Sequence, residues 1–192
     1  MLLGSDMFDG LDLKLSISDL ESALPDSYKV YKNYVPLYSE YKDSYLEKIA
    51  ELSESLIKDF YDYLYSEIVI LANEPEKYLS DDTSLTMALK NRVENILTSD
   101  LFLELNNHNI QLEEAFEDSS KEFNSIRDAY LNLNNVGYEH TLPKAEMVSL
   151  YGVSKVTVDS LFDALANAER TLKNKIVDRS SDSLYSIFWE GR

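Results

Sequence analysis

The chain has 192 residues, of which 44% are hydrophobic, and its formal net charge is −17. This apolar content is enough to build a buried core, so the composition excludes wholesale disorder. Cysteine is absent, which excludes disulfides, thiol catalysis and zinc sites of the cysteine type. The five glycines and four prolines are too few for the frequent turns of an all-β chain, and they favour long helices.

Residues 1–35 are predicted to form an N-terminal arm with short helices. Residues 1–15 lack periodicity, whereas Ser18 and Glu21 have the spacing of a helix capping box. No basic residue precedes the early leucines, and no apolar run approaches the roughly 18 residues that span a bilayer. We therefore expect no secretory signal and no membrane span. The expected location is cytoplasmic, or the host cytoplasm or virion if a phage encodes the chain.

Residues 36–137 are predicted to form a helical bundle. From Leu37 onwards apolar residues recur at steps of three and four, with no Gly or Pro before Pro75, so a single helix of about 35 residues is predicted. Thr83 or Ser84 is predicted to cap the next helix, and an Asn-rich break follows at 106–109. The last helix carries a heptad over three repeats, with Leu112, Phe116, Ser119, Phe123, Ile126, Tyr130 and Leu133.

Residues 138–176 have a pattern typical of two short helices joined by a tight turn. Pro143 suits the first turn of a helix, because its missing N–H costs nothing there. Gly152 is predicted to supply the left-handed residue of the turn, and Ser154 is predicted to cap the second helix. The run Gly-Val-Ser followed two residues later by Thr-Val, which begins at Gly152, resembles the helix-turn-helix superfamily of bacterial and phage DNA-binding proteins.

This resemblance covers residues 143–162 and implies binding to DNA. It implies that the second helix enters a major groove while lysines further along reach phosphates. The residues to which it gives these roles are Ser154, Lys155, Thr157, Ser160, Lys173 and Lys175. Asp159 and Asp163 depart from the pattern, because DNA readers usually place Arg, Lys, Asn or Gln on that face. Use of the same hairpin for protein contact is therefore the alternative.

The negative charge lies upstream of this module. Residues 1–143 hold 11 Lys or Arg and 28 Asp or Glu, whereas residues 144–176 hold five and four. An acidic body disfavours non-specific phosphate binding, which relies on counterion release by basic side chains. The charge is therefore compatible with DNA binding by the module, whereas it disfavours DNA binding by the bundle.

Aromatic residues indicate a protein interface. Tyrosines are concentrated in residues 28–65, and residues 177–192 are predicted to form a polar linker and an aromatic tail. Tyrosine is favoured at interfaces because it combines a large contact area with a hydroxyl group. The predicted interface residues are Tyr38, Tyr41, Tyr45, Tyr61, Tyr65, Tyr185, Phe188 and Trp189. The alternative is that the tyrosines cover the bundle to which they belong.

No arrangement of residues predicts catalysis. His108 and His140 lie in predicted loops without a second ligand at i+3 or i+4, and the carboxylates lack the Glu-x-x-His spacing of a di-iron bundle. A Gly-rich phosphate loop and a nucleophile elbow are also missing. We therefore predict no enzymatic activity, no metal site, no cofactor and no small-molecule substrate.

Together these patterns predict an all-α protein, in which an acidic helical bundle with long amphipathic helices precedes a C-terminal helix-turn-helix-like module. The first functional hypothesis is a non-enzymatic, oligomerising assembly or adaptor protein of a larger complex, such as a phage particle or packaging component. The alternatives are a helix-turn-helix transcriptional regulator and an acidic inhibitor that mimics DNA. The expected partner is a second copy or another protein, with DNA as an alternative partner of the module and no membrane.

Overall fold

A computed structural model of the chain describes residues 8, 11, 13–27, 41–71, 82–134 and 143–180. Every regular element within these residues is helical, which confirms the all-α fold class. In chain order they are a 3-10 helix at Asp19–Ala23, a π-helix at Tyr41–Leu46, α1 at Glu47–Lys58, α2 at Tyr61–Leu71, α3 at Ser84–Asn107, α4 at Asn109–Asn134 and α5 at Leu150–Ser180.

The chain divides into two compact units, each built from separate stretches of sequence. The first unit comprises Met1–Leu13, Asp59–Leu97 and Val158–Arg192, and the second comprises Lys14–Lys58 and Thr98–Thr157. Helices α3 and α5 each contribute residues to both units. The four segments predicted from the sequence stay a prediction.

In the first unit, α2, α3 and α5 are joined by polar contacts around an apolar core. Leu64 of α2 is fully buried, as is Leu89 of α3. The carboxylate of Glu67 on α2 forms an ion pair with the guanidinium of Arg92 on α3. These contacts orient the helical faces that carry the candidate sites described below.

In the second unit, α4 packs against the π-helix and α1. The ring centroids of Tyr45 and Phe116 lie 5.3 Å apart in the edge-to-face geometry that aromatic quadrupoles favour. The break predicted at 106–109 is confirmed, because α3 ends at Asn107 and α4 begins at Asn109. Among the heptad residues Leu112, Ser119 and Phe123 are buried, and the side chains of Ile126, Tyr130 and Leu133 lie outside the described residues.

The prediction of a single long helix from Leu37 is wrong, because the described part of this segment contains two α-helices. Helix α1 ends at Lys58 and α2 begins at Tyr61, with a turn between them. Lys58 lies in the last turn of α1 and Asp62 in the first turn of α2. Each charge opposes the partial charge of its helix end, so the local electrostatics favour two helix termini here. Hydrophobic periodicity alone does not report this effect.

The predicted pair of helices around Gly152 is also wrong. Residues 143–149 are not helical, and α5 begins at Leu150 and continues through Gly152 and Ser154. The residue that caps α5 is Ser149. Its hydroxyl accepts a hydrogen bond at 3.1 Å from the N–H of Gly152, which is the third residue of the helix.

Gly152 is needed for close packing rather than for a turn. A Cβ atom added there would lie 3.1 Å from the Cβ of Ala23 and 3.2 Å from its Cα. The nonhelical segment before α5 is tied to the same region, since the N–H of Ser149 donates to the carbonyl of Ala23 at 3.3 Å. The contact with Ala23 helps to explain why the segment before α5 is not helical, because the N–H of Ser149 is bonded outside the helix.

Candidate functional site

Two of the six residues with an implied role in DNA binding are buried. The hydroxyl of Ser154 donates to the carbonyl of Leu150 at 2.9 Å, and the hydroxyl of Thr157 donates to the carbonyl of Val153 at 2.9 Å. Both residues have 0% of their surface exposed. In this conformation neither hydroxyl is available to a nucleic acid, because both are held on the buried face of α5.

The other four residues are spread along α5. Lys155 is exposed and Ser160 is half-buried. The side chain of Lys173 is 14% exposed, and its ammonium group lies 2.5 Å from a carboxylate oxygen of Glu169. Lys175 belongs to the helix, but its side chain lies outside the described residues. The structure therefore does not bring the six residues together on one exposed surface of described side chains.

Asp159, which departs from the DNA-binding pattern, has a packing role. Its Oδ1 accepts a hydrogen bond from Nζ of Lys90 on α3 at 2.6 Å. This hydrogen bond raises the pKa of Lys90 above its usual range. The same ammonium group lies 5.8 Å from the ring centroid of Phe162, within the range of a cation–π contact. Asp159 thus helps to join α3 and α5 in the first unit.

The residues predicted to form a protein interface have different environments. Tyr45 is fully buried, so it belongs to the core rather than to an interface. Tyr61 is half-buried, with its ring centroid 5.3 Å from that of Phe8. Tyr65 is 40% exposed, and its role in an interface stays a prediction. Tyr38, Tyr185, Phe188 and Trp189 lie outside the described residues, as does the side chain of Tyr41.

The buried hydroxyl of Tyr45 predicts a loss of stability at alkaline pH. Burial raises the pKa of this hydroxyl well above its usual range, and a hydrogen bond from the N–H of Val148 at 3.3 Å opposes the shift without cancelling it. Below pH ~10 the hydroxyl is protonated in both the folded and the unfolded state, so its titration makes stability no more dependent on pH there. Above that pH the unfolded tyrosine ionises first, and the free energy of unfolding should fall by about 1.4 kcal/mol per pH unit.

Urea unfolding between about pH 9 and about pH 11.5 measures this slope. The Tyr45→Phe variant should lose stability less steeply than the unmodified chain over that range. At neutral pH it should already be about 1–3 kcal/mol less stable, because the Val148 N–H loses this acceptor. Tyr65→Phe, which changes an exposed tyrosine, is the matched control for removal of a hydroxyl group. Equal slopes in Tyr45→Phe and the unmodified chain would contradict the assignment.

A buried carboxylate, which the sequence analysis missed, caps α3. Glu169 has 0% of its surface exposed. It accepts the N–H of Leu85 at 3.1 Å and the N–H of Thr86 at 2.8 Å, both in the first turn of α3. Those donors have no partner within their own helix, and the helix macrodipole places partial positive charge there. Lys173 balances the carboxylate, and its ammonium group also donates to the hydroxyl of Ser84 at 3.4 Å.

A sequence signal for this cluster existed, although it did not identify the partner. Glu169 follows the fully buried Leu165 by four residues, so it falls on the buried stripe of α5. A single carboxylate on such a stripe requires compensating donors, because an uncompensated buried charge is costly. The donors lie on α3 more than 80 residues earlier in the chain, where the local pattern instead suggested capping by Thr83 or Ser84.

A group of exposed apolar side chains lies on α2. Tyr65, Val69 and Ile70 are 40%, 37% and 48% exposed, and we call them the α2 surface. Tyr65 and Val69 are one helical turn apart and share a face, whereas Ile70 follows Val69 directly and lies about 100° further round the helix. The opposite side is buried through Leu64 and Ile68. Helix α2 therefore carries apolar side chains on its exposed side as well as on its buried side, and the exposed Asp62 and Ser66 lie among them.

Comparisons with known proteins assign no family. No protein-family model matches the chain, and comparison with curated proteins and with solved structures gives no match. Within the described residues, no three His, Asp or Glu side chains are grouped so that they could hold a metal ion. None of the described helices combines the length and apolarity that crossing a bilayer requires. Function must therefore be inferred from the surfaces of the described helices.

Proposed function

We propose that this chain is a non-enzymatic assembly protein that associates with further copies of itself through the α2 surface. The observation that carries this proposal is the exposure of Tyr65, Val69 and Ile70 on a helix whose other side is already buried. Apolar side chains on the exposed side of a helix are typical of a surface that another element or another chain covers. Burial of the α2 surface against a second copy would satisfy that pattern.

The charge distribution of α2 supports the same partner. The helix has the sequence YDYLYSEIVIL, in which Asp62 and Glu67 are the charged residues. The carboxylate of Glu67 is paired with Arg92, so Asp62 is the exposed charge that remains on the helix. Two copies of a chain with net charge −17 repel each other, and contact through a weakly charged helix keeps that repulsion small. Tyr65 adds the aromatic area and hydroxyl that interfaces favour.

Replacing Val69 and Ile70 with glutamine should weaken self-association by about tenfold or more, because apolar area is lost from both copies. Glutamine keeps the net charge and has good helix propensity, so the fold should be retained. Light scattering after size-exclusion chromatography, over a range of concentrations, measures the mass of both proteins. Far-UV circular dichroism checks that the helical content is unchanged.

The control variant is Leu103→Gln/Ile110→Gln, which removes two aliphatic side chains from α3 and α4 that are 56% and 73% exposed. It should self-associate like the unmodified chain, because its substitutions lie outside the α2 surface. A strictly monomeric unmodified chain would refute the proposed function. Unchanged association in Val69→Gln/Ile70→Gln would refute the assignment to the α2 surface.

A further inference from the structure

A second exposed apolar pair lies on the outer side of α3 and α4 in the second unit. Leu103 is 56% exposed and Ile110 is 73% exposed. They are seven residues apart, and the one-residue break between the helices falls between them. The fully buried Leu105 and Leu112 are separated by the same step. The register of buried and exposed positions therefore survives the break, which places Leu103 and Ile110 on a common outer side.

Carboxylates surround this pair, and no Lys or Arg among the described residues forms an ion pair with them. Residues 98–118 contain six acidic residues and no Lys or Arg. All six are exposed, and none forms an ion pair with a described residue: Asp100, Glu104, Glu113, Glu114, Glu117 and Asp118. On a helical projection Glu114 and Glu117 flank Ile110, and Asp100 lies beside Leu103. We call Leu103, Ile110 and these six carboxylates the acidic-apolar surface.

The combination of charge and apolar area selects the kind of partner. A purely electrostatic contact would not require two exposed aliphatic side chains, and a purely apolar contact would be opposed by the carboxylates around it. A helix with apolar residues on one side and Lys or Arg along its edges complements both features. A second copy of the chain fits poorly, because its net charge of −17 would meet six further negative charges.

We infer that the acidic-apolar surface binds a basic amphipathic helix supplied by a different protein. The bound helix would cover Leu103 and Ile110, while its basic side chains would pair with the carboxylates on either side. This inference goes beyond self-association, since it uses a different surface and a different partner. It would give the assembled chain the role of an adaptor that collects basic helical segments.

The probe for this proposal is a synthetic peptide of about 18 residues, built from Leu and Lys in a helical pattern, which matches about 27 Å of helix. Fluorescence anisotropy of the labelled peptide measures its affinity for the full chain. Leu103→Gln/Ile110→Gln should weaken binding by about tenfold, because hydrophobic anchors usually dominate such contacts. Glu114→Gln/Glu117→Gln should weaken binding by a similar factor at low salt and by less at high salt.

Val69→Gln/Ile70→Gln is the matched control, and it should bind the peptide like the unmodified chain. A monomeric chain that binds the peptide in a manner dependent on Leu103 and Ile110 would refute self-association and support this inference. Equal affinity in Leu103→Gln/Ile110→Gln and the unmodified chain would overturn it. Equal affinity for a peptide in which Ser replaces Leu would do the same, because only non-specific charge attraction would remain. Loss of self-association, rather than of peptide binding, in Leu103→Gln/Ile110→Gln would also overturn it.

Discussion

The Glu169→Ala substitution should lower the free energy of unfolding by about 3–5 kcal/mol, because it removes one partner of a buried ion pair. Two further losses add to this effect. The N–H groups of Leu85 and Thr86 lose the carboxylate that accepts them, and Lys173 keeps its positive charge in a position where its side chain is 14% exposed. Burial of unsatisfied donors is costly in itself.

Urea unfolding followed by circular dichroism measures this loss. Glu122→Ala is the matched control, because Glu122 is an exposed glutamate on a helix, and its stability should stay within about 0.5 kcal/mol of the original. Lys173→Ala should cost less than Glu169→Ala, since the carboxylate keeps its two backbone donors. The double variant should be less destabilised than the sum of the two single variants. Equal stability of Glu169→Ala and Glu122→Ala would show that the carboxylate does not cap α3.

The Lys155→Pro variant should lose about 3 kcal/mol or more, because proline in a helix interior removes a backbone hydrogen bond and clashes with the preceding turn. Position 155 lies in the second turn of a helix that begins at Leu150. In the helix-turn-helix arrangement implied by the resemblance, the same position would be the first residue of the second helix. Proline is tolerated there, so the two arrangements predict different stabilities.

Lys155→Ala is the control for this substitution. Lys155 is exposed, and Ala has the highest helix propensity, so this variant should be as stable as the unmodified chain or slightly more stable. The comparison separates the effect of the proline ring from the loss of the lysine. Similar unfolding curves for Lys155→Pro and Lys155→Ala would contradict a continuous α5 and would favour a turn near Gly152.

The sequence predicted correctly those features of the structure that depend on residues close together in the chain. The scarcity of Gly and Pro, together with apolar steps of three and four, predicted the all-α fold class, which the described helices confirm. The asparagines around His108 marked the break between α3 and α4, because Asn favours turns over helix interiors. In both cases the relevant interactions span only a few residues of the chain.

The same reasoning failed at the start of α5, where two local solutions were nearly equivalent. Ser149 and Ser154 are both residues that cap helices well, and Gly152 suits either a turn or a close contact. The choice between them depends on Ala23, which approaches Gly152 from more than a hundred residues away in sequence. The cap that Glu169 provides for α3 was unpredictable for the same reason, because its donors lie on another helix.

The number of tyrosines in a segment does not by itself predict which of them are exposed. The concentration of tyrosines includes both the exposed Tyr65 and the buried Tyr45, and it could not distinguish between their environments. Their hydrophobic periodicity is compatible with either environment, and the difference comes from packing against α4 and residues 143–149. The aliphatic neighbours Val69 and Ile70 were not predicted as interface residues, because their exposure depends on how α2 packs and not on local sequence.

Sedimentation equilibrium of the unmodified chain at low and high salt tests the proposed self-association most directly. We predict an average mass above the 22.1 kDa of one chain, rising with concentration, and tighter association at high salt. Salt should strengthen the contact, because it screens the repulsion between copies of net charge −17 while leaving the apolar α2 surface unchanged. A mass of 22.1 kDa at every concentration and at both salt levels would contradict an assembly role.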